Sequence, residues 1–327
     1  MKHRLNGLVL ITDYIDEISI EVANINMLGV VDWTGQYDPK EVLALLVWHQ
    51  QVDESFLRQF PNAQLVVRYG VGFDNIDLDY LKQRGIKFAN NPDYGVDEVS
   101  DTALAMCLFH SRRLAYYWLN KEQMLTNWQE FKAPNVKRTS KMNVLIIGLG
   151  RIGHAFGRKM KALNYNISFF DPYKPAGYEK ISGFNRVETL SDGLPSADLV
   201  SLHCPLNNET KGFVNKKFVE LMKDSAALIN TARGGLIEDE RHLVDALDSG
   251  KLGFVGLDVL VDEENLEGSP LWQRFSAKLS YDLLINPHTA FYSEESYLEM
   301  RVKASRQVEN FFANGSLPNE ISLSDGT

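Results

Sequence analysis

Residues 142–171 read MNVLIIGLGRIGHAFGRKMKALNYNISFFD. Val144–Ile147 form an unbroken apolar run, the pattern of a strand buried on both faces of a parallel sheet. Gly148, Gly150 and Gly153 follow in G-x-G-x-x-G spacing. Ile152, Ala155, Phe156, Met160 and Leu163 then recur at helical spacing, and a second strand, Ile167–Phe170, ends in Asp171. The three glycines serve different ends. Gly148 permits the tight turn, Gly150 the approach of a pyrophosphate to the backbone, and Gly153 the close packing of helix on strand. A helix beginning near Arg151 offers N–H groups and a positive dipole end to phosphates. Asp171 lies where a carboxylate can accept from both ribose hydroxyls of an adenosine. Strand, glycine turn, helix, second strand and terminal acid in register predict a dinucleotide site.

A chain of 327 residues is long for one core and suits two domains. The net charge of −9 argues against nucleic acid or an anionic membrane as partner, so an anionic ligand would need a local cluster of donors. Cys107 and Cys204 are the only cysteines, which excludes a disulfide framework and points to a reducing cytoplasm. The apolar run Leu8–Ile11 is too short for a secretion signal, and no stretch is long enough to span a bilayer. There is no internal repeat, and no His/Cys/Asp cluster has metal-ligand spacing, so no metal is expected.

Before the Rossmann strand, Leu8–Ile11, Leu43–Val47, Leu65–Arg68 and Ile86–Ala89 read as strands, with helices over 53–60 and 77–84. That alternation predicts a second, smaller parallel sheet. One loop, Val67–Asp77, combines Arg68 with Gly70 and Gly72 and can hold a carboxylate, although the residues alone favour a plain βα turn. A breaker cluster, Asn91–Gly95, precedes a helix expected over 97–124, whose aromatic stripe (Tyr116, Tyr117, Trp118) is either an oligomer contact or core. Residues 126–141 are polar and expected on the surface.

After Asp171 the pattern continues with strands Leu199–His203, Ala226–Asn230, Gly253–Leu257 and Leu283–Ile285, and helices over 215–223 and 238–249. Ligands in open α/β sheets bind beyond the carboxyl ends of strands, and those ends carry Cys204, Arg233, Asp258 and His288. His203 reads as cofactor-lining in preference to a second base, and Cys204 as a wall of the same site. His110, His154 and His242 lie on helices without sequence partners and are expected in solvent.

The motifs HCPLNNET, NTARGGLIEDE, GLDV followed by an acid, and NPHTA, with VRYGVGFDNID earlier, resemble the D-isomer-specific 2-hydroxyacid dehydrogenase family over almost the whole chain. VRYGVGFDNID and PHTAFYSEESYLEMR look most like its C-terminal-binding-protein branch. The resemblance implies two Rossmann-like, doubly wound parallel-sheet α/β domains with a cleft between them: residues 1–97 plus 293–327 for substrate, residues 98–292 for the dinucleotide.

It further implies NAD as cofactor, NADH being preferred because Asp171 repels a 2′-phosphate and no Arg follows it. The implied reaction interconverts a 2-keto acid and a D-2-hydroxy acid. Arg233 of NTARGG, Glu263 five residues past the LDV aspartate, and His288 of NPHTA map onto the family's catalytic Arg, Glu and His. Asp262 and Glu264 flank Glu263 and remain alternatives, since the usual proline is missing there. A protonated His288 would donate to the developing oxyanion, with Glu263 orienting it and Arg233 binding the substrate carboxylate or carbonyl.

The cofactor set is then Gly148, Gly150, Arg151, Ile152, Gly153, Asp171, His203, Cys204, Pro205, Thr210, Thr231, Ala232 and Asp258, the last on the nicotinamide carboxamide or its ribose. The substrate set is Arg68, Tyr69, Val71, Gly72 and Phe291, with N–H groups around Val71 and Gly72 on the carboxylate. Phe291, expected on the first turn into the C-terminal helix, is either an apolar wall facing Tyr69 or core beneath that helix. A homodimer is expected. Two other functions are compatible with the motifs: an NAD(H)-sensing binding protein of the C-terminal-binding-protein type with weak catalysis, and an enzyme on phosphite or formate. Formate enzymes of the family carry Gln where Glu263 stands.

Overall fold

The computed structural model describes residues 5–277 and 280–322; the outermost parts of the expected substrate domain, residues 1–4 and 323–327, lie outside the described residues. The chain forms two compact units, one running to Gly95 and resuming at Ser293, the other Val96–Tyr292.

In the first unit, β1 (Leu8–Ile11), β2 (Gly29–Asp32), β3 (Val42–Val47), β4 (Leu65–Arg68) and β5 (Lys87–Ala89) form a parallel sheet in the order β2-β1-β3-β4-β5. β2 escaped the sequence reading because it is a four-residue edge strand, only half-buried throughout. The helix Leu78–Arg84 shows how local chemistry sets its ends. Asp77 caps it by accepting from Tyr80 N at 2.9 Å, and Gly85 stops it in the left-handed region at φ 68°.

In the second unit, β6 (Asn143–Ile147), β7 (Asn166–Phe170), β8 (Asn185–Arg186), β9 (Leu199–Leu202), β10 (Ala226–Asn230), β11 (Leu252–Leu257) and β12 (Leu283–Ile285) run parallel in the order β12-β11-β10-β9-β6-β7-β8. Side chains alternate across β6. Val144 and Ile146 join Met106, Phe156 and Met160 on one face, while Leu145 and Ile147 pack with Leu202, Leu228 and Leu243 on the other. Both faces are covered by helices, which is why the strands read as solid apolar runs.

Two expectations fail here. The helix expected over 97–124 is three helices, Val96–Ser111, Leu114–Leu119 and Lys121–Met124. Arg113, at φ 55°, breaks the first, and the turn lets Tyr116 stack on Phe131 at 5.7 Å while Tyr117 accepts from Ala133 N. The stripe therefore divides: Tyr116 and Tyr117 make internal contacts, and Trp118 is 66% exposed. The three helical histidines are not simply solvated. His110 is buried against the Phe254 ring at 5.1 Å. His154 meets the Tyr178 hydroxyl at 3.4 Å, and His242 lies 3.3 Å from Glu238, one turn earlier.

Burial pushes His110 down to about 3, so the imidazole folds neutral, while an unfolded histidine titrates near 6.5. Between those values the unfolded chain binds a proton that the folded chain does not. Stability therefore falls as pH is lowered from about 6.5 toward 3 and is indifferent to this group above that window. His110 Nδ1 has no hydrogen-bond partner among the described residues, so His110→Phe should fold. Urea unfolding at pH 7 and pH 5 should show a smaller acid-induced loss in the variant, by up to about 1.4 kcal/mol per pH unit. Equal losses in both proteins would contradict this assignment.

Candidate active site

Gly148 ends β6 at φ 88°, and a Cβ there would lie 2.6 Å from the Cys204 backbone nitrogen after β9. Only glycine fits where these neighbouring strand ends cross. A Cβ on Gly153 would lie 2.2 Å from the Gly148 oxygen, so the helix Arg151–Ala162 packs directly on the turn. Gly150 caps that helix, and its missing Cβ would meet nothing within 4 Å. The helix N-terminus thus opens onto clear space, the shape a pyrophosphate requires. At its start Arg151 is exposed and Ile152 half-buried.

Asp171 binds the turn to β7: one oxygen accepts from Leu149 N at 2.8 Å and the other from Tyr173 N at 3.0 Å. Beside it a pocket of about 340 Å³ is lined by residues including Asp171, Pro172, Lys174, Arg186 and Glu188. Arg186 went unnoticed in the sequence because β8 brings it back from 15 residues away, whereas Lys174 closely follows Asp171. Arg186 is already engaged, with Glu179 at 3.2 Å and the Pro175 oxygen at 2.7 Å.

After β9, His203 bonds Ser201 Oγ at 2.9 Å and lies against the Phe156 ring. Burial lowers it to about 3 and pushes the Cys204 thiol up to about 12, so these two are a neutral ring and a thiol, unsuited to base or nucleophile chemistry near neutrality. Thr210 closes the following loop by donating to the Pro205 oxygen at 2.6 Å. After β10, Ala232 N donates to Asn230 Oδ1 at 3.0 Å, and Thr231 Oγ1 is buried without a partner among the described residues. An orphan hydroxyl at the carboxyl end of a central strand fits a site that a polar cofactor group completes.

Arg233, Asp258 and His288 follow the adjacent strands β10, β11 and β12. Arg233 is half-buried, with Nη1 on the Ala232 oxygen at 2.7 Å. His288 has φ 55°, a left-handed conformation rare for a side-chain-bearing residue. Its N donates to the Asp258 oxygen at 2.8 Å, and the next two amides donate to the Asp258 carboxylate at 3.0 Å. Asp258 is 2% exposed, and burial raises its carboxyl to about 6. Sequence placed it on the cofactor; in the structure its acceptors hold the backbone on either side of His288.

The ring Nδ1 of His288 meets Glu263 Oε2 at 2.8 Å. Neither neighbour of Glu263 does this, because Asp262 accepts from Glu264 N and Asn265 N. The loop carrying Glu263 is clamped from below. Buried Glu240 accepts from Val261 N at 3.1 Å and from the Ser269 hydroxyl, and a Cβ on Gly234 would lie 1.7 Å from the Leu260 oxygen. Glu240 sits in NTARGGLIEDE, yet a lone acid at a helix start reads only as a dipole match. Phe291 lies in the turn before the helix Glu294–Asn314, half-buried, and is not on its first turn.

In the first unit, the Arg68 guanidinium lies over Gly70, where a Cβ would be 1.6 Å from Nη1. Among the described residues no acceptor answers the N–H groups of Gly70, Val71 or Gly72. Tyr69 departs from expectation. It is fully buried, its hydroxyl donates to Glu21 at 3.0 Å, and Glu21 pairs with buried Arg301 at 2.6 Å. Side chains alternate along β4 and its continuation, which sends the phenol into the core, so it walls no pocket.

Residues 104–290 match the family described as D-isomer specific 2-hydroxyacid dehydrogenase, NAD binding domain. A hydroxypyruvate reductase of Blautia hydrogenotrophica is 34% identical over 80% of this chain and 79% of its own length. C-terminal-binding protein 1 of Caenorhabditis elegans is 30% identical over 86% of this chain, which spans only 38% of that longer protein. A D-lactate dehydrogenase from Aquifex aeolicus, solved with NAD and lactic acid, superposes with TM-score 0.78 at 27% identity over 94% of this chain and 96% of its own. A glyoxylate/hydroxypyruvate reductase from Sinorhizobium meliloti, NADPH-dependent and solved with NADP and malonate, shares the fold with TM-score 0.82 at 24% identity, over 98% of each chain. The chain belongs to the D-isomer-specific 2-hydroxyacid dehydrogenase family.

Proposed function

We propose that this protein is an NAD-dependent oxidoreductase that interconverts a 2-keto acid and a D-2-hydroxy acid. The observation that carries the proposal is the 2.8 Å contact between His288 and Glu263 at the edge where the strands β10, β11 and β12 end. When bound, the nicotinamide supplies the hydride. In the reduction, His288 donates a proton from its outer ring nitrogen to the carbonyl oxygen as charge develops there, a contribution of about 10²–10⁴ in rate. Glu263 faces the other ring nitrogen, fixes the tautomer and supplies counter-charge to the imidazolium. Arg233 polarises the carbonyl with its planar guanidinium, and the Arg68–Gly72 loop takes a carboxylate on backbone N–H groups.

The glycine turn, Arg151 and Ile152 hold the pyrophosphate. Asp171 takes the adenosine ribose, and His203, Cys204, Pro205, Thr210, Thr231, Ala232 and Asp258 line the rest of the cofactor site. The exposed side chains Leu114, Trp118, Leu125 and Trp128 support a homodimer formed through this segment. Both cysteines are free, which supports a reducing, cytoplasmic setting. Among the described residues no helix is long and apolar enough to cross a membrane.

Cofactor choice follows from Asp171. A 2′-phosphate would meet its carboxylate, and Arg186 is committed to Glu179 and backbone oxygens. NADH should therefore exceed NADPH in kcat/KM, and Asp171→Asn should narrow the gap. Equal use of both cofactors by the wild type would refute this.

The acid–base pair is tested by His288→Asn and Glu263→Gln. The first should lower keto-acid reduction at least about 10²-fold while NADH titrates as in the wild type; a loss under tenfold would remove His288 from the reaction. Glu263→Gln removes the carboxylate that faces the ring and should lower the rate of reduction while NADH binding is unchanged. A loss in Asp262→Asn or Glu264→Gln, with none in Glu263→Gln, would reassign the partner.

Phe291 is proposed as an apolar wall of the substrate site. The protein should then prefer 2-keto acids with apolar side chains over glyoxylate, by about 1 kcal/mol for each methylene accommodated. Phe291→Ala should reorder that ranking. Wild-type preference for glyoxylate would defeat the assignment without a mutant.

A further inference from the structure

Three successive carbonyl groups of the glycine loop in the first unit are held in one direction. Asn91 Nδ2 donates to the Tyr69 oxygen at 3.0 Å, Asn91 N to the Gly70 oxygen at 3.3 Å, and Asn90 Nδ2 to the Val71 oxygen at 2.6 Å. In a trans peptide the C=O of one residue and the N–H of the next point in opposite directions, and the described chain has no cis peptide. Fixing the oxygens of residues 69, 70 and 71 therefore turns the N–H groups of Gly70, Val71 and Gly72 to the other side. Those are the three amides that find no acceptor among the described residues. The loop is a row of donors because its acceptors are already occupied.

The two asparagines differ in how much else they do. Asn91 is completely buried and also bonds the Met300 oxygen and Gln307, so it ties the long C-terminal helix to the sheet. Asn90 is 4% exposed, and its carboxamide makes one hydrogen bond among the described residues, to Val71. Its backbone is set from behind by Gln307, whose Nε2 donates to the Asn90 oxygen at 2.9 Å. A buried carboxamide spent on one carbonyl of an exposed loop has a local purpose.

We infer that Asn90 is a positioning residue for substrate: by holding the Val71 carbonyl it directs the Gly72 N–H toward the substrate carboxylate. This rests on the proposed reading of the Arg68–Gly72 loop as a carboxylate site. Asn90 is buried behind the loop, and among the described residues its carboxamide bonds only the Val71 carbonyl, so its effect falls on carboxylate binding and spares the other steps. Asn90→Asp keeps the shape, removes the donor and sets an oxygen against the Val71 oxygen, which releases the 71–72 peptide plane.

The test uses the full chain, with NADH and a 2-keto acid for kinetics and oxamate as carboxylate-bearing probe. In the wild type carrying isotope-labelled glycine for NMR, the Gly70 and Gly72 amide signals should move as oxamate is added to the NADH complex. In Asn90→Asp, KM for the keto acid and the oxamate inhibition constant should each rise about tenfold, with kcat within about twofold and NADH affinity unchanged. Unchanged KM and inhibition constant would overturn the inference, as would a parallel loss of kcat, NADH affinity and far-UV dichroism, which marks a merely structural residue. Unresponsive glycine signals in the wild type would instead overturn the carboxylate-site reading itself, whatever the variant does. Should Asn90→Asp not fold, Asn90→Ala and Gln307→Leu carry the same test, with smaller rises in KM expected and unchanged values again decisive against it.

Discussion

In a parallel sheet every strand delivers its carboxyl end to the same edge. The seven strands of the second unit therefore set the glycine turn, His203, Arg233, Asp258 and His288 along one edge, following β6, β9, β10, β11 and β12 in turn. The chain starts at β6 and winds outward both ways, to β7 and β8 on one side and to β9 through β12 on the other. Between β6 and β9 the connections leave in opposite directions and the edge opens. Gly148 and Cys204 approach so closely at that point that no side chain fits at position 148. The glycine turn and the His288–Glu263 contact are thus placed by one topology.

The topology brings His288 to the edge but does not orient it. Its left-handed backbone costs about 1 kcal/mol, and the loop holds that conformation because Asp258 receives the amides of residues 288, 289 and 290 on its carbonyl and carboxylate. Burial of that carboxyl is itself unfavourable, as its rise to about 6 shows. The same division of labour recurs at Glu263, whose loop is anchored by buried Glu240 from a different helix. In both cases an exposed side chain is steadied by a buried acid that holds the backbone beside it.

Both parallel sheets were legible in the sequence because β6, β9, β10 and β11 are covered on both faces and leave continuous apolar runs. What escaped lay where that signal fails. β2 and β8 are short edge strands, half-buried or exposed, and carry no such run. The helix break at Arg113 follows no Gly or Pro, and is fixed by the docking of Tyr116 on Phe131, a tertiary contact. Tyr69 looked like a site residue because it stands between Arg68 and Gly70, yet side-chain alternation buries it. His288 and Glu263 stand 25 residues apart, and motif spacing suggested the pair while only the fold could choose among three adjacent acids. Asn90, Glu240 and Gln307 could not be read at all, since they act through backbone groups that a sequence does not display.

An acidic chain that binds anions must overcome its own field, and this one does so by consuming its acceptors internally. Asp171 takes two amides beside the glycine turn, Asp258 two near His288, Glu240 one beneath Glu263, and Asp13 those of Trp48, His49 and Gln50. Each satisfied carboxylate immobilises a loop, and an immobilised loop can keep its remaining N–H groups and cations facing outward. Around Gly72 the same result is reached without charge: neutral carboxamide and amide donors occupy the carbonyls, and the opposite face of each peptide plane is left as donor. Because a carboxamide adds no negative charge, it anchors that loop without opposing an anion on the far side of the peptide planes.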